Sequence, residues 1–333
     1  MGDVKMKKYA RLMLISSGVT ALTMALVETM RHSAADYFVS IALNRKVPPH
    51  SHRAERRMIL RCADTTLLSQ LEDAGKKLSA QPCETVYLQS RDGTQLVGHW
   101  VAAQCPKRII IAMHGWRSGW SRDFGIVADF FKENDCSVLY AEQRGQGNSG
   151  GEYIGFGLTE RYDCLDWVQW VNQQTGGKLP IYLCGVSMGA STVLMSAGLS
   201  LPENVCGIIA DCGYTSPEAI WKHVAKQAHI SYGMCGKPAG RLAKKRLNVA
   251  VDAETCPQAL ARSKCAVLFV HGTDDKFVPI EMTYENYKAC AAPKRLFIVP
   301  GAEHGMSYLM DPKGYQAALI NFWKDFDKTF PHN

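Results

Sequence analysis

The stretch Pro180-Ile181-Tyr182-Leu183-Cys184-Gly185-Val186-Ser187-Met188-Gly189-Ala190-Ser191-Thr192-Val193-Leu194-Met195-Ser196-Ala197 decides how the rest of the chain is read. It opens with an apolar run of strand length and closes with the small and aliphatic residues of a buried helix. Between them, Ser187 has Gly185 on one side and Gly189 on the other. A strand that turns at once into a helix leaves little room for side chains at its corners. Such a turn lifts one hydroxyl above the sheet end, beside a helix N-terminus. Ser187 is therefore the first candidate nucleophile. A G-x-S-x-G run also occurs by chance in loops, so its meaning depends on its surroundings.

Those surroundings are rhythmic from residue 81 on. Glu84–Gln89 and Gln95–Val101 alternate across the turn Ser90-Arg91-Asp92-Gly93-Thr94 and predict a hairpin. Arg108–Met113, Ser137–Ala141, Val205–Ala210, Ala266–Val270 and Leu296–Val299 predict buried strands. Phe124–Glu133, Leu158–Gln173, Pro217–Ile230 and Gly314–Lys328 predict helices. Short apolar strands alternating with helices imply an α/β fold, a mostly parallel sheet covered on both faces. Ligands of such sheets bind beyond the carboxyl ends of the strands. There stand His114-Gly115, the turn from Glu142 to Ser149, Asp211, His271-Gly272-Thr273-Asp274-Asp275 and the loop holding His304. Residues 215–262 interrupt the rhythm between two core strands and predict a small cap insertion over the site.

With these motifs in place the chain resembles the α/β-hydrolase fold family, within its serine hydrolases. The resemblance covers residues 84–330. It rests on the serine elbow, His114-Gly115 after a strand, Arg144-Gly145-x-Gly147-x-Ser149, the H-G-x-x-D-x-x-V-P run at 271–279 and the late His304. The order serine, acid, histidine is that family's order. The resemblance implies a Ser187–His304–Asp275 triad. His304 would take the serine proton and return it to the leaving group, and the acid would hold the imidazole tautomer. Asp274 and Asp211 are the rival acids, the first as a solvated neighbour, the second at the end of the preceding strand. His114 and His271 each begin an H-G turn and read as turn-shaping residues. Two backbone N–H groups, of Trp116 and Met188, are the expected donors to an oxyanion.

The residues expected to line the substrate pocket are Trp116, Trp120, Tyr153, Phe156, Tyr214, Trp221 and Tyr308, aromatics at strand ends or in the insertion. Arg117, Arg122 and Arg144 offer a carboxylate a partner, against structural or solvated roles. No metal or cofactor is expected. His50-Ser51-His52 and the scattered cysteines lack ligand spacing, and there is neither a phosphate-binding lysine loop nor a dinucleotide fingerprint. The reading is a serine hydrolase of carboxylic esters acting on a small acyl substrate. An amidase, thioesterase or peptidase with the same triad remains open, as does a non-catalytic binding protein on the same fold.

The 333 residues are 47% hydrophobic and 21% charged, a globular composition. Residues 1–61 hold eleven Lys/Arg against four Asp/Glu, and the remainder is balanced, so the net charge of +7 is an N-terminal property. A nucleic-acid partner is not indicated. The twelve cysteines include no C-x-x-C pair, and several stand in apolar runs, which favours a reducing compartment. Residues 1–80 predict an N-terminal helical extension before the hydrolase domain at 81–330. Within it Leu12–Val27 carries no charge and follows Lys5, Lys7, Lys8 and Arg11. Three readings compete there: a signal-anchor or membrane-associated helix, a helix packed on the domain, and a cleaved signal. The location is accordingly membrane-associated or cytoplasmic. The extension further resembles that of bacterial, often membrane-linked, members of the family.

Overall fold

In the computed structural model, residues 2–47, 65–229 and 231–327 are described. Eight strands form one sheet: β1 (Glu84–Gln89), β2 (Gln95–Val101), β3 (Arg108–Met113), β4 (Cys136–Glu142), β5 (Ile181–Val186), β6 (Val205–Asp211), β7 (Ala266–Gly272) and β8 (Lys294–Val299). Their spatial order is β1-β2-β4-β3-β5-β6-β7-β8. β2 runs antiparallel to both β1 and β4, and every pairing from β4 through β8 is parallel. The expected α/β architecture is thus present, and each expected strand lies within two residues of its observed bounds.

The central strands show why the sheet is covered on both faces. All six residues of β3 are buried. Ile109, Ile111 and Met113 enter one core with Leu139, Ile181 and Leu183, while Ile110 and Ala112 enter the other with Val138, Tyr140, Tyr182 and Cys184. This is the period-two alternation of a strand, apolar on both sides because helices lie on both. The first face is closed by α4 (Glu160–Thr175) and α5 (Met188–Ser196), the second by α3 (Trp120–Glu133) and α11 (Pro312–Phe326). Cys184 is buried between strands, and Cys265 is buried beside β7, where a thiol packs as a small apolar group.

Among the described residues, two helices precede the sheet. α1 (Gly2–Leu43) buries Ala35, Val39, Ala42 and Leu43 against the domain, whereas Met24, Leu26, Val27 and Met30 are exposed. Phe38 meets Trp221 edge to face at 5.7 Å. The end of α1 therefore packs on the domain, whereas residues 23–27 of the stretch for which a packed helix is one reading are exposed. The signal-anchor reading of residues 12–27 finds no support, because no helix among the described residues is long and apolar enough to cross a membrane. His50-Ser51-His52 and the basic residues Arg53, Arg56, Arg57 and Arg61 lie outside the described residues. α2 (Thr65–Ser79) packs on α3 so closely that a Cβ on Gly125 would come to 2.5 Å from the Ala74 carbonyl.

Between β6 and β7 stand α6 (Pro217–Gln227), α7 (Tyr232–Leu247) and α8 (Cys256–Leu260). α6 begins with Ser216 accepting from the Ala219 N–H and a proline in its first turn, which explains why this helix was legible. α7 packs along α1, and Arg246 near its end donates to Ser40 Oγ, Asn44 Oδ1 and Asp36 Oδ1. α9 (Ile280–Ala289) joins β7 to β8, and the one-turn α10 (Ser307–Met310) precedes α11.

Candidate active site

Ser187 sits in the turn between β5 and α5 at φ 56°, ψ −116°, a conformation costly for any residue with a Cβ. Its neighbours make the turn possible. A Cβ at Gly189 would overlap the Met113 carbonyl, and one at Gly185 would overlap the Gly189 carbonyl. The Ser187 N–H is held by the Asp211 carbonyl at 2.8 Å. Only 7% of the serine is exposed.

His304 follows β8 in a loop closed by Gly301 and Gly305, both at positive φ. Its Nε2 lies 2.9 Å from Ser187 Oγ and its Nδ1 2.6 Å from Asp275 Oδ2. A carboxylate only accepts, so Nδ1 carries the proton and Nε2 is free to accept from the serine hydroxyl. Asp275 lies after β7, with no side-chain exposure. Its Oδ1 accepts from the N–H groups of Phe277 and Val278, each at 2.8 Å. Burial disfavours its charge, but the charge and hydrogen bond of the His304 ring and the hydrogen bond from His271 hold it well below the ordinary 3.8. Burial likewise opposes a charge on His304, yet the Asp275 carboxylate outweighs it and raises the ring well above 6.5.

The rival acids stand elsewhere. Asp274 is exposed and accepts from the Thr273 hydroxyl. Asp211 is buried and accepts from Ser307 Oγ at 3.0 Å, and burial raises its pKa. Neither meets His304 Nδ1.

His271 has a second role that its sequence position did not reveal. Its Nε2 is 2.9 Å from the Val278 carbonyl and 3.1 Å from Asp275 Oδ2. Both are acceptors, so Nε2–H donates to them, while Nδ1 accepts from the Thr283 hydroxyl at 2.7 Å. A buried histidine thus braces the acid. Its i, i+4 spacing to Asp275 after an apolar strand was the available signal. His114 fits its turn-shaping expectation: Nδ1 meets the Gly115 carbonyl, Nε2 accepts from the Gln143 N–H, and burial lowers its pKa.

The loop after β3 lies against the serine, since a Cβ on Gly115 would come to 3.5 Å from Ser187 Cβ. Gly115 N–H is tied to Asp123 Oδ2 at 2.7 Å and Arg117 N–H to Gln146 Oε1 at 2.5 Å. Neither the Trp116 N–H nor the Met188 N–H donates to another described residue. The side chains of this loop reach away from the sheet to the end of α1. Trp116 Nε1 donates to the Ala42 carbonyl at 2.9 Å, and the Arg117 guanidinium to those of Ile41 and Asn44 at 2.7 and 2.6 Å. These are carbonyls that a helix C-terminus leaves without partners.

A cavity of about 120 Å³ opens over Ser187 and His304. Leu68, Leu71, Trp116, Phe277 and Met306 supply its apolar wall, with Arg117, Ser118, Arg122 and Asp123 at one side. Of the seven expected pocket aromatics only Trp116 lines it. Trp120 stacks on His99 at 4.1 Å, Tyr153 pairs with Asn44, and Tyr308 accepts from Gln316 and packs on Tyr315. Phe156, Tyr214 and Trp221 pack on one another under the insertion. Residues 215–262, expected to cap the site, contribute nothing to the lining, and α2 stands in that place instead. Leu68 and Leu71, three residues apart on one helix face, escaped sequence reading because α2 precedes every recognisable motif. Arg144 is structural, bound to Asp163 and Asp92.

Cys212, at φ 50°, brings its sulfur near Asp275 and His304, so that three potential metal-ligand atoms lie within 4.8 Å. Burial pushes this thiol up to about 11, so it is protonated at neutral pH. A cation there would have to displace that proton and compete with the Asp275–His304 bond.

Comparison with known proteins agrees with this fold. Residues 104–237, which include the loop after β3 and the serine turn, match the family model described as serine aminopeptidase, S33. The YqkD protein of Bacillus subtilis, of uncharacterised activity, is 27% identical over 239 residues, 71% of this chain and 77% of its own. The YfhR protein of Escherichia coli K12, also uncharacterised, is 23% identical over 247 residues, 72% and 80% of the two chains. Among solved structures, an esterase of Pyrococcus furiosus superposes with a TM-score of 0.62 at 22% identity, covering 76% of this chain and 94% of that one. An esterase of Exiguobacterium antarcticum superposes with a TM-score of 0.54 at 18% identity, covering 72% and 100%. Sheet order, serine turn and the match over residues 104–237 together show that this chain has the α/β-hydrolase fold and is a hydrolase.

Proposed function

We propose that the protein hydrolyses carboxylic esters through an acyl-enzyme, with Ser187 as nucleophile, His304 as base and then acid, and Asp275 as the group that orients His304. The single observation that carries this reading is the His304 ring hydrogen bonded to Asp275 at 2.6 Å and to Ser187 at 2.9 Å at once. His304 Nε2 takes the hydroxyl proton as Oγ bonds to the ester carbon, and the carbonyl electron pair moves to oxygen. The N–H groups of Trp116 and Met188 receive that oxyanion, and each such donor contributes about 3–4 kcal/mol to the rate. Collapse breaks the bond to the alcohol, which leaves with the proton from His304. Water then repeats the cycle: it gives a proton to His304, bonds to the acyl carbon and expels Oγ, which recovers its proton.

The family model's name raises a second reading, an aminopeptidase. That activity needs a free carboxylate near the nucleophile to hold the substrate's ammonium group. Among the described residues Asp123 is the carboxylate of the cavity wall, and the guanidinium groups of Arg117 and Arg122 in the same lining oppose an ammonium group there, while Gly115 N–H and Ser118 Oγ hold one Asp123 oxygen each. The ester reading is therefore favoured. Wild-type protein should be labelled by a fluorophosphonate probe and cleave 4-nitrophenyl butyrate but not aminoacyl anilides. Ser187→Ala should lose labelling and turnover together. Wild-type rates in that variant would overturn the assignment.

A further inference from the structure

Two arginines border the cavity over Ser187, and they are not equivalent. Arg117 is engaged with the carbonyls at the end of α1. Arg122, half-buried on the first turn of α3, makes one long contact, 3.4 Å from Nη1 to Ser118 Oγ. No carboxylate among the described residues lies within ion-pair distance of it. Elsewhere buried and half-buried arginines are held either by acids, as Arg144 by Asp163, Arg161 by Glu254 and Arg246 by Asp36, or by several backbone carbonyls, as Arg45 and Arg117. Asp123, next to Arg122 in sequence, is committed to the loop after β3.

A guanidinium without a counter-ion beside an apolar cavity is a strong receptor for an anion. Low local dielectric strengthens the pairing, and the planar fork matches a carboxylate's two oxygens. The cavity's size limits what arrives there. Its volume of about 120 Å³ is below the ~150 Å³ of an apolar cavity that accepts benzene. An anionic group seated within it, rather than beyond its mouth, stands only a few bonds from the ester carbonyl.

We propose that the substrate is a short ester bearing a carboxylate and that Arg122 receives that group. This rests on Ser187 being the nucleophile. The full chain is assayed on two matched pairs. One is 4-nitrophenyl butyrate against the 4-nitrophenyl monoester of glutaric acid, with the carboxylate on the acyl side. The other is phenyl butyrate against 4-carboxyphenyl butyrate, with the carboxylate on the alcohol side. In one pair kcat/KM for the carboxylate ester should exceed its neutral partner by about ten- to a hundredfold, the range of one charge-assisted contact. Arg122→Gln should bring that ratio to about one, mainly through KM, and Arg122→Lys should keep part of it. The readout is a ratio within each variant, so a general loss of fold or rate does not imitate it. Equal use of charged and neutral esters by the wild type, or a preference that survives Arg122→Gln, overturns the proposal and leaves the esterase reading standing. Failure to cleave any of the four esters, together with failure of Ser187 to label, overturns both.

Discussion

At the scale of single residues, the site depends on which proton His304 carries. Asp275 holds a proton on Nδ1 and so leaves Nε2 open toward Ser187. The same carboxylate stabilises the protonated ring, so the folded-state pKa of His304 lies well above 6.5. The base is active only when neutral. Activity should therefore fall as pH drops through that raised pKa, and kcat/KM for a neutral ester should rise along an acid limb centred above pH 6.5. Asp275→Asn should move the limb downward in a pH–rate profile. It should also lower kcat by about four decades, because an amide does not hold the productive tautomer. An unmoved limb in that variant would detach Asp275 from the base. The serine, the histidine and this acid were all readable in the sequence, since each follows a strand in a recognisable turn. The brace from His271 was not, because its two acceptors and its donor come together only when β7 meets the following loop and α9.

At the scale of elements, the loop after β3 works between two partners. Its backbone flanks Ser187, while the Trp116 and Arg117 side chains hold the last carbonyls of α1. Arg117 sits at φ 51°, a strained conformation that these contacts and the Gln146 bond sustain. Loosening the grip should blur the position of the Trp116 N–H. Arg117→Ala should therefore lower kcat about tenfold, less than the two to three decades lost with a whole donor. Steady-state kinetics check this. A change confined to KM would make Arg117 a substrate contact instead. Sequence reading offered this arginine a structural role without identifying what it holds. The acceptors lie more than seventy residues earlier in the chain, and backbone carbonyls carry no sequence signature.

At the scale of the whole molecule, the groups proposed to react come from the sheet, and part of the cavity wall comes from outside it. Ser187, Asp275 and His304 stand at the carboxyl ends of β5, β7 and β8, while Leu68 and Leu71 come from a helix that precedes the sheet. The close approach of Gly125 to Ala74 holds that helix over the site. The cavity should then set a chain-length limit: acetate and butyrate esters should be cleaved faster than decanoate. Leu71→Ala removes a large apolar side chain from the wall and should shift the optimum by about two carbons, since a buried methylene contributes about 0.8 kcal/mol. A chain-length series of 4-nitrophenyl esters measures both. An unchanged profile in the variant would place the acyl chain elsewhere.

The sequence by itself determined the α/β class and all eight strands, and it singled out Ser187, His304 and Asp275, which the structure links through the His304 ring. Strand periodicity and strand-end turns are local, and short stretches of chain encode them. Only the tertiary structure decided that α2 and not the 215–262 insertion walls the cavity. It likewise turned six of seven expected pocket aromatics to packing and left Arg122 without an acid among the described residues. Those outcomes depend on which surfaces come together across hundreds of residues, and the hydrophobic effect that brings them together is non-directional and leaves no spacing to read.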